Sequence, residues 1–532
     1  MPTLQFKGKN IIWNHHLSVP YHSLEEIEDL HFQYEKGDHK IIEGDNLVAL
    51  KALLPQYAGQ VKCVYIDPPY NTGNEGWIYN DKSNSPLLRE WIGKVVSKED
   101  LTHHDKWLCM MSTRIKLLYE LLSDDGVLYV SIGEDELGNL ITLLNEIFGD
   151  NRLLTVFSWR SRSKPTNAGD AKYRPQKVAE FIVAFSKGDP EALLFNLSAG
   201  KDRTYPHSDD EGEFRYTTIL TSNLGVYRRE TMRFEIEGYT PNEEQRWKAG
   251  QSEIEKLNET GRLIFNEDGV PMWKIYKTDE DELLSPMYTF LHPDITGTAE
   301  NGKTEVNKLI GKGHGFDTVK PVQLIKYLIH ITTKENDVVL DSFAGTGTTL
   351  QAVLELNAED GGKRQCLLVQ MTEASESEPE KNICKNITKK RIESAIKKYN
   401  FDSGFKYLRV GSPIDPETML DGDLPTYQQF AEYVYYLATG GHLADKSKVD
   451  ASNHFVGMEG GQAVYLIYEQ DMDKLTRLAL TLQIAESIVK HSPGKRRVVF
   501  APSCFLDEEY MTAMQIEFVS VPYNLFERKN NG

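Results

Sequence analysis

The stretch VKCVYIDPPYNTGN, Val61 to Asn74, decides the fold. Val61, Cys63, Val64, Tyr65 and Ile66 form a short apolar run rich in β-branched and aromatic residues, as expected of a buried parallel strand. The run stops at Asp67-Pro68-Pro69-Tyr70. Two consecutive prolines offer no N–H to a ladder, so the strand ends there and the chain leaves the sheet. A carboxylate, proline-fixed carbonyls and an aromatic ring are therefore expected at the carboxyl edge of a strand, where open α/β sheets bind ligands.

Working outward, Ile41 to Asn46 reads as a strand and a turn, with Asn46 as the N-cap of a helix ended by Pro55. Leu24 to Tyr34 reads as a short amphipathic helix. Asn71 to Lys106 is aperiodic and polar, a length that favours a substrate loop. Leu108, Met111, Ile115, Leu118 and Leu122 mark a helix, Val127 to Ile132 a strand, Glu136 to Phe148 a helix, and Val178 to Phe185 another strand. This alternation predicts a parallel sheet with right-handed crossovers. It lapses from Asp189 to about Asn301 and returns at Lys320-Pro321, which opens a helix to about Thr332. Strands at Val338 to Leu340 and Gln365 to Gln370, a helix from Leu350 to Asn357, and a basic helix from Asn382 to Tyr399 complete the pattern. The expected divisions are an N-terminal arm (1–40), a catalytic half (41–188), an inserted module (189–305), a second half (306–405) and a C-terminal α/β domain (406–532).

The second telling stretch is Asp341-Ser342-Phe343-Ala344-Gly345-Thr346-Gly347-Thr348-Thr349, a strand end, a glycine turn and a helix start. Gly345 and Gly347 let the backbone approach a ligand and turn N–H groups toward it. The pattern is neither a dinucleotide fingerprint nor a P-loop, which ends in Gly-Lys-Ser/Thr. A nucleoside with a charged amino-acid tail suits it better, with Asp341 beside the ammonium. The Asp67 to Tyr70 stretch suits a different task. The lone pair of an exocyclic amino group on adenine is delocalised into the ring. A carboxylate and a fixed carbonyl that accept its two N–H bonds favour a pyramidal, nucleophilic nitrogen, while Tyr70 stacks on the base. An alkyl donor held in line needs little beyond proximity, and a base in a duplex reaches such a pocket only when flipped out. Alone, each motif is also compatible with an ordinary loop or a plain βα turn.

Composition describes a soluble globular protein: 532 residues, 40% hydrophobic and 26% charged, with no apolar run long enough to span a bilayer. The opening residues lack an apolar signal region, and five scattered cysteines form no metal or disulfide pattern, so a cytoplasmic protein without a metal is expected. The formal charge of −19 argues against non-specific coating of nucleic acid but leaves room for local basic surfaces. One such segment, Asn151 to Gly188, carries Arg160, Arg162, Lys164, Lys172 and Arg174. The inserted module adds Arg228 and Arg229 among several aromatics, side chains suited to groove contacts.

With Asp-Pro-Pro-Tyr first, Phe-x-Gly-x-Gly-Thr last and a long insert between, the chain resembles the β class of amino-group DNA methyltransferases. Gly44-Asp45-Asn46, Asn71-Thr72-Gly73-Asn74, Tyr79-Asn80-Asp81, Trp107, Met111, Arg114, Phe316 and Lys320-Pro321 extend the resemblance to the modification subunit of type III restriction–modification systems, over roughly residues 40 to 400. It implies a Rossmann-like S-adenosylmethionine-dependent fold with permuted motif order, an insert acting as target recognition domain, and methyl transfer to adenine N6. Asp67, Pro68, Pro69 and Tyr70 become the catalytic motif. Asp341, Phe343, Ala344, Gly345, Gly347 and Thr348 become the cofactor turn, flanked by Lys320, Pro321, Asp45 and Asn46. Gln370 stands where many relatives carry an acidic ribose ligand, so Gln370 or Glu373 takes that place. The resemblance also implies double-stranded DNA as partner, a homodimer and a restriction subunit. Cytosine N4 as the target, a chiefly partner-recruiting role, and an RNA or protein substrate are the alternatives.

Overall fold

The computed structural model describes residues 3–72, 103–164, 175–193, 195–196, 204–224, 228–279, 287–316, 318–374, 378–415, 418–419 and 424–521. The chain forms two compact units, one of residues Met1–Asn196 and Tyr288–Gly532, the other of Leu197–Met287.

In chain order the larger unit begins with β1 (Tyr21–Glu26), β2 (His39–Glu43), α1 (Asn46–Tyr57), β3 (Val61–Ile66), α2 (His103–Leu121), β4 (Leu122–Ile132), α3 (Glu134–Phe148), β5 (Leu153–Trp159) and β6 (Glu180–Ser186). The smaller unit holds β7 (His207–Asp209), β8 (Gly212–Thr218), β9 (Leu220–Ser222), β10 (Gln245–Trp247), α4 (Gln251–Glu259), β11 (Leu263–Phe265) and β12 (Pro271–Tyr276). The larger unit resumes with β13 (Phe290–Leu291), α5 (Ala299–Ile310), α6 (Val322–Thr332), β14 (Val338–Asp341), α7 (Thr348–Asp360), β15 (Gln365–Gln370), α8 (Lys390–Tyr399) and β16 (Phe405–Ile414). It closes with α9 (Tyr427–Thr439), β17 (Phe455–Glu459), β18 (Gln462–Leu466), α10 (Leu482–His491), β19 (Arg496–Ala501) and β20 (Ile516–Ser520).

Ten strands make one sheet in the order β1-β16-β2-β15-β14-β3-β4-β6-β5-β13. From β16 to β4 every pairing is parallel. Their residues are apolar on both faces because helices cover both; Ile41, Ile42, Val64, Ile66, Leu367 and Leu368 have no exposure. The expected parallel sheet is mixed at its margins, where β1 runs antiparallel to β16, and β6 antiparallel to both β4 and β5. These reversals put the first residue of β6 and the last residues of β5 at the edge where β3 and β14 end.

Several local expectations are corrected too. The expected helix at Leu24 to Tyr34 begins as strand β1, whose Leu24, Glu25 and Glu26 pair with Val410, Arg409 and Leu408. The N-terminal arm is thereby part of the sheet. Asp45, not Asn46, caps α1, its carboxylate accepting from Leu47 N at 2.8 Å. Pro55 lies inside the last turn of α1 rather than ending it. The expected basic helix from Asn382 begins as a π-turn over Cys384–Lys389 before α8. The boundary expected at 405/406 falls at the first residues of β16, whose ladder to β2 starts at Phe405↔His39. The C-terminal strands form a separate four-stranded sheet, β17-β18-β19-β20, yet α9 joins it to the larger unit. On α9, the Tyr433 ring lies 4.4 Å from that of Tyr21, and the Tyr436 hydroxyl donates to Glu120 at 2.7 Å.

The smaller unit has a four-stranded sheet, β11-β12-β8-β7, and the pair β10-β9. A small core of Ile219, Leu220, Trp247, Ile254 and Leu263 holds it together. Among the described residues no helix is long and apolar enough to cross a membrane, and no three His, Cys, Asp or Glu side chains gather as metal ligands.

Candidate active site

β3 and β14 are hydrogen-bonded neighbours, with Leu340 opposite Val64, so their carboxyl ends share one edge. The chain leaves β3 through Asp67-Pro68-Pro69-Tyr70 and leaves β14 through Ser342 to Gly347. The sequence motifs, far apart along the chain, are thus side by side.

The Asp67 carboxylate is gripped by Lys320, whose Nζ donates to Oδ1 at 2.9 Å and Oδ2 at 2.8 Å. The same Nζ lies 3.3 Å from Glu180 Oε2. Glu180 is the first residue of β6, and its Oε2 also accepts from the Tyr70 hydroxyl at 2.8 Å. Lys320 stands 5.1 Å from the Tyr70 ring centre and 5.8 Å from that of Trp159, at cation–π distance. One ammonium therefore serves two carboxylates and two rings. Burial and the neighbouring Glu180 push the Asp67 carboxyl above its ordinary range, and Lys320 offsets this only in part. Burial opposes the charges on Glu180 and Lys320 as well. There the opposite charges outweigh it, holding Glu180 below the usual carboxylate range and Lys320 above the usual lysine value.

The backbone of the motif is fixed from beneath. Trp107 on α2 donates its indole N–H to the Pro69 carbonyl at 2.8 Å. Asn71 is buried in a left-handed conformation (φ 60°), which asparagine tolerates, and its amide donates to Glu136. Gly133 lies against Tyr70; a Cβ there would sit 3.3 Å from the ring.

The glycine turn is braced just as closely. Gly345 and Gly347 have φ of 50° and 84°, a region that favours glycine. The Asp341 carboxylate accepts from Phe343 N at 2.9 Å and from the Thr349 hydroxyl at 2.5 Å. With both oxygens engaged and 3% exposure, Asp341 braces the turn. Burial raises its pKa to about 7. Gln370 is likewise a brace, accepting from Gly345 N at 2.7 Å, while its amide N–H groups go to the Met371 carbonyl and Glu373. Arg391 of α8 donates to the Thr346 and Thr348 hydroxyls. Asn46 donates to the Ser342 carbonyl at 3.1 Å and accepts from Arg114, which also lies 3.6 Å from Asp45. The Ser342 hydroxyl is buried and makes no hydrogen bond among the described residues. A helix start, two glycines and an unsatisfied hydroxyl fit a small polar ligand at this turn.

Lys320 thus stands on the Asp67 side of the site, with Pro321 capping α6 behind it. Phe343 and Ala344 are buried in the turn. Arg160, Arg162 and Lys164 follow β5 on the same edge, Arg160 and Arg162 half-buried and Lys164 exposed. Arg228 and Arg229 are exposed on the smaller unit. Gly73, Asn74, Tyr79, Asn80, Asp81, Lys172 and Arg174, with most of the proposed substrate loop, lie outside the described residues. Sequence reasoning missed Glu180, although a lone carboxylate in the apolar run Val178 to Phe185 was the available signal.

Residues 61–407 match the family model described as DNA methylase. The chain is 29% identical over 468 residues to the Type III restriction-modification enzyme StyLTI Mod subunit of Salmonella typhimurium, covering 80% of this chain and 69% of that one. It is 26% identical to the EcoP15I Mod subunit of Escherichia coli, covering 74% and 69%. Among solved structures, the M1.HpyAVI–SAM complex matches at 16% identity and a TM-score of 0.32, covering 66% of this chain and 98% of that one. PvuII DNA methyltransferase, described as cytosine-N4-specific, matches at 14% identity and a TM-score of 0.35, covering 69% and 95%.

Proposed function

The chain belongs to the DNA methylase family, and from that premise we propose that it methylates adenine N6 at a specific sequence in double-stranded DNA, using S-adenosylmethionine. The observation that carries the reading is the pairing of β3 with β14, which sets Asp67-Pro68-Pro69-Tyr70 beside the braced glycine turn on one sheet edge. Two neighbouring sites, one for a base and one for a donor, need that adjacency.

S-adenosylmethionine supplies a methyl carbon on a sulfonium, whose sulfur leaves as a neutral thioether with the electron pair of the broken C–S bond. Its binding is assigned to Phe343 through Thr348, with the Ser342 hydroxyl, Asp45 and Asn46 around them. Trp107 already engages the Pro69 carbonyl, so the Pro68 carbonyl and Asp67 are assigned to the two N–H bonds of the target amino group. Tyr70 stacks on the extruded base, held by its hydroxyl bond to Glu180. As the N–C bond forms, the surplus proton on nitrogen passes to Asp67. The raised pKa of that carboxyl suits it as acceptor, and its side chain, 31% exposed, hands the proton to water.

The relatives named Type III Mod subunits support reading the chain as the modification subunit of such a system. A restriction subunit and a second copy of the chain are its proposed partners, and the smaller unit its proposed target recognition module. The test is transfer of labelled methyl from S-adenosylmethionine to duplex DNA. Asp67→Ala is expected to lose about 10²–10⁴-fold in rate while keeping its fold and cofactor binding. Near-normal transfer by that variant would overturn the mechanism.

A further inference from the structure

In the structure both oxygens of Asp67 are taken by Lys320, at 2.9 and 2.8 Å. An incoming amino group needs one of them. Expelling the ammonium into a site where its side chain is only 11% exposed, without a partner, is costly. Glu180 offers the alternative, with Oε2 already 3.3 Å from the same Nζ. The backbone around Lys320 packs closely on α5, where a Cβ on Gly302 would lie 2.2 Å from the Val319 carbonyl and 2.9 Å from that of Lys320, so the exchange is assigned to the side chain.

We infer that Glu180 is a positioning residue, a second seat that takes the Lys320 ammonium when the target base arrives and so frees Asp67. The inference rests on the methyl-transfer reading above. The free protein then holds Asp67 paired and pre-aligned, and the base exchanges with the ammonium. Glu180 reports the exchange to the base platform as well, since Tyr70 donates to the same oxygen that receives Lys320. The Tyr70 and Trp159 ring centres lie 5.1 and 5.8 Å from the same Nζ.

The test is single-turnover methyl transfer by the full-length protein, at saturating S-adenosylmethionine and saturating duplex DNA. Glu180→Gln removes the second seat but keeps an acceptor for Tyr70, so Lys320 stays on Asp67 and the rate is expected to fall about tenfold or more. Glu180→Asp keeps the charge and is expected to recover much of that loss. The decisive variant is Glu180→Gln with Lys320→Met, which has no ammonium to relocate and is expected to be faster than Glu180→Gln alone. Cofactor binding by each variant reports that it has folded. A wild-type rate in Glu180→Gln, or a double variant slower than Glu180→Gln, would overturn the inference. Absence of any transfer to DNA by the wild-type chain would overturn the methyl-transfer reading, and this inference with it.

Discussion

Asp341 shows how a single residue of the glycine turn sets a measurable property of the protein. Its carboxyl is buried, accepts from Phe343 N and the Thr349 hydroxyl, and its pKa is raised to about 7. A carboxyl whose folded pKa exceeds its unfolded value binds more protons in the folded state. Its contribution to stability is therefore fully present below about pH 4 and is lost as pH rises through about 7. Asp341→Asn, which keeps an acceptor but carries no charge, is expected to flatten that part of the pH dependence. Urea midpoints of both proteins at pH 5 and pH 8 check this; an unchanged slope would contradict it. At this scale the sequence was most legible where chemistry is local. Asp67 to Tyr70 mark the sheet edge in four consecutive positions, because the prolines end the strand where the carboxylate stands. The partners of Asp67 were not legible as partners. Lys320 and Glu180 gather around it only through the fold, from the residue before the N-cap of α6 and from the start of a reversed strand. Asp341 and Gln370 were found by position, but their work as braces depends on backbone N–H groups that no motif displays.

Elements were legible in proportion to their burial. β15 runs over Gln365–Gln370 as expected, since an apolar run bounded by turn residues leaves little choice. β1 was misread because its outer residues are solvated, and its strand state comes from pairing with β16, hundreds of residues away. The π-turn at Cys384–Lys389 was likewise invisible in the basic periodicity of that helix. It sets Thr388 so that its hydroxyl donates to the Gly345 carbonyl at 2.6 Å, a placement consistent with π-turns gathering at functional sites. Helix α5 carries the clearest test at this scale. Gly302 is where it meets the backbone that bears Lys320, with no room for a Cβ. Gly302→Ala is expected to cost about 1–3 kcal/mol of stability and, by shifting Lys320, to reduce transfer at temperatures where the variant remains folded. Thermal unfolding and transfer rates measured together decide it. Full stability and full activity would show that this contact does not position the lysine.

For the whole molecule, the two motifs and the returning βα pattern predicted the central sheet and the interruption between its halves. The structure bears out a large α/β sheet that brings the motifs together, with mixed margins built by β1, β6, β5 and β13. The expected insert at 189–305 compares with a separate unit of Leu197–Met287, and α5 belongs to the larger unit instead. That difference has a physical reason: the amphipathic α5 buries Val306 and Gly302 against the larger unit, which polar composition alone does not reveal. With a net charge of −19, the proposed contacts to DNA fall to local basic stretches such as Arg160 to Lys164. The most direct measurement is modification-sensitive sequencing of genomic DNA from cells expressing the chain, beside cells expressing Asp67→Ala. The account predicts N6-methyladenine at one short sequence, lost in the variant. Methylation at cytosine N4, or no modified base in either sample, would contradict it.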